Sequence, residues 1–151
     1  MISRRTGWAW VACQFLLIAT LVFAPTSPSL HAPQRVGWIA FAAGLLIFVA
    51  AYAALGKSFT PNPVPRTGAT FIAHGIYQWI RHPMYSAVLV CAVGWAIAFG
   101  GAWHYALCFI LLVFFWMKSR VEERWLLSVH PEYAKYRLSA GRFLPKVRRG
   151  E

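Results

Sequence analysis

Four uncharged, strongly apolar runs alternate with polar segments along the chain. They cover about 7–24 (GWAWVACQFLLIATLVFA), 36–55 (VGWIAFAAGLLIFVAAYAAL), 84–99 and 102–117, and each is 16 to 20 residues long. A helix needs about 20 residues to cross the hydrocarbon core, with roughly 17 as the short limit. The third and fourth runs are separated only by Gly100 and Gly101, and read as a tight helical hairpin whose flanking turns complete the crossing. Lipid leaves no solvent for unpaired backbone groups, so helices are the form these runs should take. The pattern predicts an all-α integral membrane protein of four transmembrane helices, with residues 1–151 as a single domain. Helical periodicity continues past the fourth run through KSRVEERWLLSV. The tail HPEYAKYRLSAGRFLP then reads as a short second helix, with Pro131 in its first turn and Gly141 at its end.

Composition supports this reading. Hydrophobic residues make up 59% of the chain and charged ones 13%, against about 25% charged in an average soluble domain. The first run has a basic start but no small-x-small cleavage pattern after it, so it reads as a permanent helix and not a removed signal. Trp8, Trp10, Trp38, Trp79, Trp103, Trp116 and Trp125 fall near run ends, as an interfacial aromatic belt would place them. Cys13, Cys91 and Cys108 lie inside runs without paired spacing and read as inert thiols.

Charge gives the orientation. With the N-terminus in the cytoplasm, every Lys and Arg except Arg35 falls on the inner side, in segments 1–6, 56–83 and 118–151. The expected location is therefore the inner (cytoplasmic) membrane with both termini cytoplasmic. The net charge of +11 then lies against anionic lipid at the inner face, and no nucleic-acid-binding module accompanies it. The sequence says nothing about oligomeric state.

The inner segments also carry the candidate chemistry. Pro83 suits the first turn of the third helix, which puts His82 near its N-cap, where free N–H groups and the positive dipole end favour an anionic group. Glu122 and Glu123 are half of the four carboxylates, and the chain has no Asp. They read either as charge balance for Lys118, Arg120 and Arg124 on a solvated helix surface, or as a cation-binding pair. Tyr133, Tyr136 and Arg137 share one helix face by their spacing, either lying on the bilayer or closing over a ligand. No Gly-rich phosphate loop, HExxH, GxSxG or CxxC is present, and His74 with His82 is too small a set for a metal site.

Three motifs, in order and on one side of the membrane, form a recognisable set. GxYxxxRHPxY stands at Gly75, Tyr77, Arg81, His82, Pro83 and Tyr85; the acidic pair is Glu122 and Glu123; the tail carries Tyr133, Tyr136, Arg142, Phe143 and Pro145. Across residues 55–145 the chain closely resembles the isoprenylcysteine carboxyl methyltransferase family, which shares a superfamily with the membrane phospholipid methyltransferases. The resemblance implies a C-terminal segment folded back to enclose S-adenosylmethionine, and methyl transfer to a lipophilic acceptor reached from the bilayer. Carried over, Gly75, Tyr77, Arg81, His82, Pro83, Tyr85, Glu122, Glu123, Tyr133 and Tyr136 would form the cofactor region (56–83 and 118–145). A Glu would meet the cofactor ammonium, Arg81 and the helix start its carboxylate, and the tyrosines the adenine or sulfonium. Arg137 and Arg142 are the residues placed to orient an anionic acceptor. Two other readings stand beside this one: an NADPH-dependent membrane reductase related to the sterol reductases, and a non-enzymatic membrane scaffold or small-ligand carrier.

Overall fold

The computed structural model describes residues 4–26, 34–56, 60 and 71–146. Pro61, Pro63, Pro65 and Gly68 of the inner loop, and most of the Pro-rich outer loop, lie outside the described residues. Among those described the fold is all-helical: α1 (Arg4–Phe23), α2 (Gln34–Leu55), α3 (Pro83–Phe99), α4 (Ala102–Val129) and α5 (Tyr133–Ser139), with a 3-10 turn at Gly75–Gln78. Of these, α2 and α4 are long and apolar enough to cross a membrane, while 7–23 of α1 and all of α3 are apolar but shorter.

Small residues set the tightest contact. Gly37, Gly44 and Ala51 recur every seven residues on α2 and are buried. They face the small-residue side of α3. A Cβ added to Gly94 would lie 2.5 Å from the Phe41 backbone nitrogen, and one on Gly44 would lie 2.8 Å from that of Cys91. Such close backbone approach is how apolar helices gain dispersion contacts where lipid competes for every larger side chain. A second core joins α1, α3 and α4 around Leu21, Ala92, Ala96, Cys108, Leu111 and Phe115. Outward-facing Leu16, Ile39, Leu46 and Phe109 are exposed; lipid would accept them and water would not.

Both ends of the bundle are fixed by specific contacts. Where α3 meets α4, the buried His104 accepts the Gly101 amide on Nδ1 at 3.3 Å. At the opposite end, buried Lys118 of α4 donates to Gln14 Oε1 of α1. Gly75, at φ +60, lies beside Ala54 at the end of α2. The start of α3, the far half of α4, the end of α2 and the start of α1 therefore gather at one end.

The tail departs from the sequence expectation in one detail. Pro131 lies in the turn before α5, with Glu132 at the N-cap, so α5 is shorter than the motif suggests. Beyond it the chain turns back along the Arg-His-Pro segment. The Arg81 and His82 amides donate to the carbonyls of Gly141 and Arg142 at 2.7 and 3.1 Å, and the Gly141 amide donates to Trp79 O at 3.0 Å. Ser86 Oγ adds a bond to Phe143 O at 2.7 Å.

Candidate active site

Pro83 occupies the first turn of α3 and His82 its N-cap, which fixes the His82 ring against α4. Adjacent helix residues point about 100° apart, so Glu122 and Glu123 reach the imidazole by different routes. Glu123 Oε1 lies 3.1 Å from His82 Nε2, and Glu122 Oε2 lies 3.6 Å from Nδ1. Glu123 also receives Arg142 at 2.9 Å and lies 3.5 Å from an Arg81 nitrogen. Glu122 accepts the Tyr85 hydroxyl at 2.8 Å. Tyr85 in turn stacks between His82 and Phe115, at 5.3 and 4.7 Å between ring centroids. Lys118 Nζ sits 5.2 Å from the Tyr85 ring centre.

The acidic pair is therefore not on a solvated surface: Glu123 is buried and Glu122 partly so. Burial is the largest single influence on the His82 ring and disfavours its proton, but two carboxylates together outweigh it and hold the pKa above 6.5. Burial likewise pushes both Glu carboxyls up, and is outweighed: His82 draws both below 4.5, helped by Tyr85 and Lys118 at Glu122 and by Arg81 and Arg142 at Glu123. With His82 protonated, four cations surround two carboxylates, so the knot keeps an excess of positive charge.

A layer of aromatic rings lies beside the knot. Phe71 packs edge-on to Tyr133 and Tyr136 at 5.7 and 5.0 Å, and the Tyr136 hydroxyl donates to the Tyr77 carbonyl. Burial is the chief cause raising the phenol pKa values of Tyr77, Tyr133 and Tyr136, the last to about 12. These groups stay protonated at neutral pH, and of the three the Tyr136 hydroxyl is the one seen donating. Two buried polar atoms at this junction, Arg81 Nε and the Tyr133 hydroxyl, have no hydrogen-bond partner among the described residues. An orphaned buried donor costs about 1–3 kcal/mol, so both are atoms for which a ligand would compensate.

Of the residues singled out from sequence, Arg81, His82, Tyr85, Glu122, Glu123 and Arg142 meet directly, and Pro83 sets the helix start. Tyr77, Tyr133 and Tyr136 form the neighbouring aromatic layer, and Gly75 supplies a positive-φ turn with no side chain in the site. Arg137 is exposed and meets Arg81 only through its own carbonyl, at 3.5 Å. The site also uses Gln14, Ser119 and Phe71, which sequence reasoning left out, and Lys118, which it named only as a charge for the acidic pair to balance. Ser119 accepts a bond from Arg142 at 3.2 Å. Gln14, the lone polar amide in the first apolar run, was the available signal.

A model of the phospholipid methyltransferase family matches residues 33–133, which span α2, α3, α4 and the start of α5. The chain belongs to that family. Phospholipid methyltransferases are membrane proteins, in keeping with the lipid-facing bundle, and the matched stretch carries the Arg-His-Pro segment and the acidic pair. The fold is also similar to a solved structure of the eukaryotic intramembrane Ras methyltransferase ICMT (isoprenylcysteine carboxyl methyltransferase). The two share a TM-score of 0.71 and 20% identity, over 96% of this chain and 54% of that one. The chain thus spans about half the length of that enzyme. No curated protein matches the sequence.

Proposed function

We propose that this protein is an S-adenosylmethionine-dependent methyltransferase acting on a lipophilic acceptor at the cytoplasmic face of the inner membrane. In this reading α1 to α4 all cross the bilayer, α3 and α4 as a hairpin, and both termini are cytoplasmic. The observation that carries it is the pair of orphaned buried donors, Arg81 Nε and the Tyr133 hydroxyl, beside a carboxylate with spare acceptor capacity and a layer of tyrosines.

That donor set fits the cofactor. Glu123 is occupied by His82, Arg81 and Arg142, which leaves Glu122, one-quarter exposed at its side chain, as the partner for an ammonium. Arg81 Nε and Tyr133 suit a carboxylate or a ribose hydroxyl. The rings of Phe71, Tyr133 and Tyr136 offer a face for adenine, and cation–π attraction for a sulfonium is worth about 0.5–2 kcal/mol. Gly75, Tyr77 and Pro83 hold the backbone that carries these groups. When bound, the cofactor supplies an electrophilic methyl group for in-line displacement. The chain's own contribution is orientation and exclusion of water. Both His82 ring nitrogens face carboxylates, which leaves neither free to serve as a base, so this reading calls for an acceptor that arrives as a nucleophile already: a carboxylate, a thiolate or a neutral amine. Arg137 and Arg142 both line an open cleft beside the knot and are the groups to orient an acceptor that carries negative charge.

Thermal unfolding of the purified protein in detergent, with S-adenosylmethionine, S-adenosylhomocysteine or NADPH added, tests the reading. Stabilisation by the first two is expected. Stabilisation by NADPH alone would point to a reductase, and no response to any of them would leave a carrier or scaffold.

A further inference from the structure

Lys118 and Glu122 stand one turn apart on α4, the spacing at which a lysine and a glutamate on one helix face ordinarily pair. The buried Lys118 ammonium is directed elsewhere. It donates to Gln14 Oε1 of α1 and lies over the Tyr85 ring, 5.2 Å from its centre. Glu122 meets other groups through its Oε2, accepting the Tyr85 hydroxyl at 2.8 Å and lying 3.6 Å from His82 Nδ1. Lys118 acts on it through its field, helping to keep the carboxyl ionised. The Oε1 oxygen of Glu122 accepts no hydrogen bond among the described residues.

Gln14 is the amide inside the first apolar run. A polar group there is costly in lipid and belongs where a neighbouring helix can satisfy it. The contact between α1 and α4 does not depend on that bond. Trp10 packs on Phe114 at 5.4 Å between ring centroids, and Leu21 joins Leu111 and Phe115 in the core. What the Gln14 oxygen adds is a fixed direction for a buried cation. A buried ammonium needs acceptors, and without that oxygen the carboxylate one turn along its own helix face is Glu122. A Lys118–Glu122 bond would occupy the oxygen that a cofactor ammonium needs.

We propose that Gln14 is a positioning residue of the cofactor site, drawing Lys118 toward α1 and so keeping Glu122 open to the ammonium of the cofactor. The inference rests on the methyltransferase reading above. It extends the site to α1, which precedes the residues 33–133 that the family model matches.

The test is calorimetry on the full chain in detergent at neutral pH, with S-adenosylhomocysteine and with its analogue lacking the amino group. Gln14→Leu should weaken S-adenosylhomocysteine about tenfold, the scale of one lost charge-assisted hydrogen bond, and leave the analogue unaffected. Gln14→Glu keeps an acceptor for Lys118 and should keep most of the affinity. Gln14→Leu with Lys118→Met removes the competing ammonium and should recover most of the loss, which a merely structural role of Gln14 would not allow. Equal weakening of both ligands would overturn the proposal and make Gln14 a clasp between α1 and α4. Undiminished affinity in Gln14→Leu would overturn it as well. A further loss when Gln14→Leu is added to Lys118→Met would do the same, and that comparison holds even if Gln14→Leu alone fails to fold. No binding of S-adenosylhomocysteine by the unmodified protein would overturn the methyltransferase reading and this inference together. Every other adverse outcome removes the inference and leaves that reading standing.

Discussion

Glu123 faces Arg81, His82 and Arg142, whereas Glu122 faces Tyr85 and the other edge of the same imidazole. Removing one partner of a buried ion pair leaves the others unpaired in low dielectric, at about 3–5 kcal/mol. Glu123→Gln is therefore expected to lower the unfolding temperature sharply or prevent folding. Glu122→Gln should leave a folded protein whose affinity for S-adenosylhomocysteine, read by calorimetry, falls about tenfold, the scale of one lost charge-assisted hydrogen bond. Unchanged affinity would remove Glu122 from the cofactor site. The same knot sets a pH dependence. His82 has its pKa raised on folding, so its contribution is complete below 6.5 and is lost as pH rises through the folded value. The two carboxyls have theirs lowered, so their contribution is complete above 4.5 and is lost as pH falls. Stability should thus peak between those limits. His82→Asn should abolish the alkaline decline in a melting series; a decline of the same size in that variant would assign it to another group.

At the scale of the elements, the seven-residue recurrence of Gly37, Gly44 and Ala51 is visible in the sequence, but which helix it faces is not. The answer is α3, through Gly94, and a side chain there has no room. Gly94→Val is expected to cost about 1–3 kcal/mol by overpacking and to lower the melting temperature in detergent. An unchanged melting temperature would mean that α2 and α3 can part without loss. The helices themselves were legible because apolar runs bounded by Pro and Gly leave the backbone few alternatives. The continuation of α4 to Val129 was legible from periodicity. The end of the chain was only partly so. Its hold on the Arg-His-Pro segment rests on backbone bonds from Arg81, His82 and Gly141, and backbone groups carry no residue-specific signal.

For the whole molecule, the asymmetry of basic residues predicts which end faces the cytoplasm, and the bundle gathers the start of α1, the start of α3 and the far half of α4 at that end. Ser128→Cys, exposed near the end of α4, should react with a membrane-impermeant maleimide only after cells are opened. Ala102→Cys, exposed at the start of the same helix, should react in intact cells. The reverse pattern would invert the orientation.

The sequence by itself determined the helical class, the membrane character and the small set of polar residues in which chemistry can reside. All three follow from composition and local periodicity, which are properties of the chain read in order. Only the tertiary structure decided what those residues do to one another. It buried Glu123 among three cations, set His82 between two carboxylates, brought Gln14 to Lys118 and left Arg81 Nε and the Tyr133 hydroxyl without partners among the described residues. Contacts between groups about twenty to a hundred residues apart depend on helix packing and on a tail pinned through its backbone, neither of which leaves a periodic trace in the sequence.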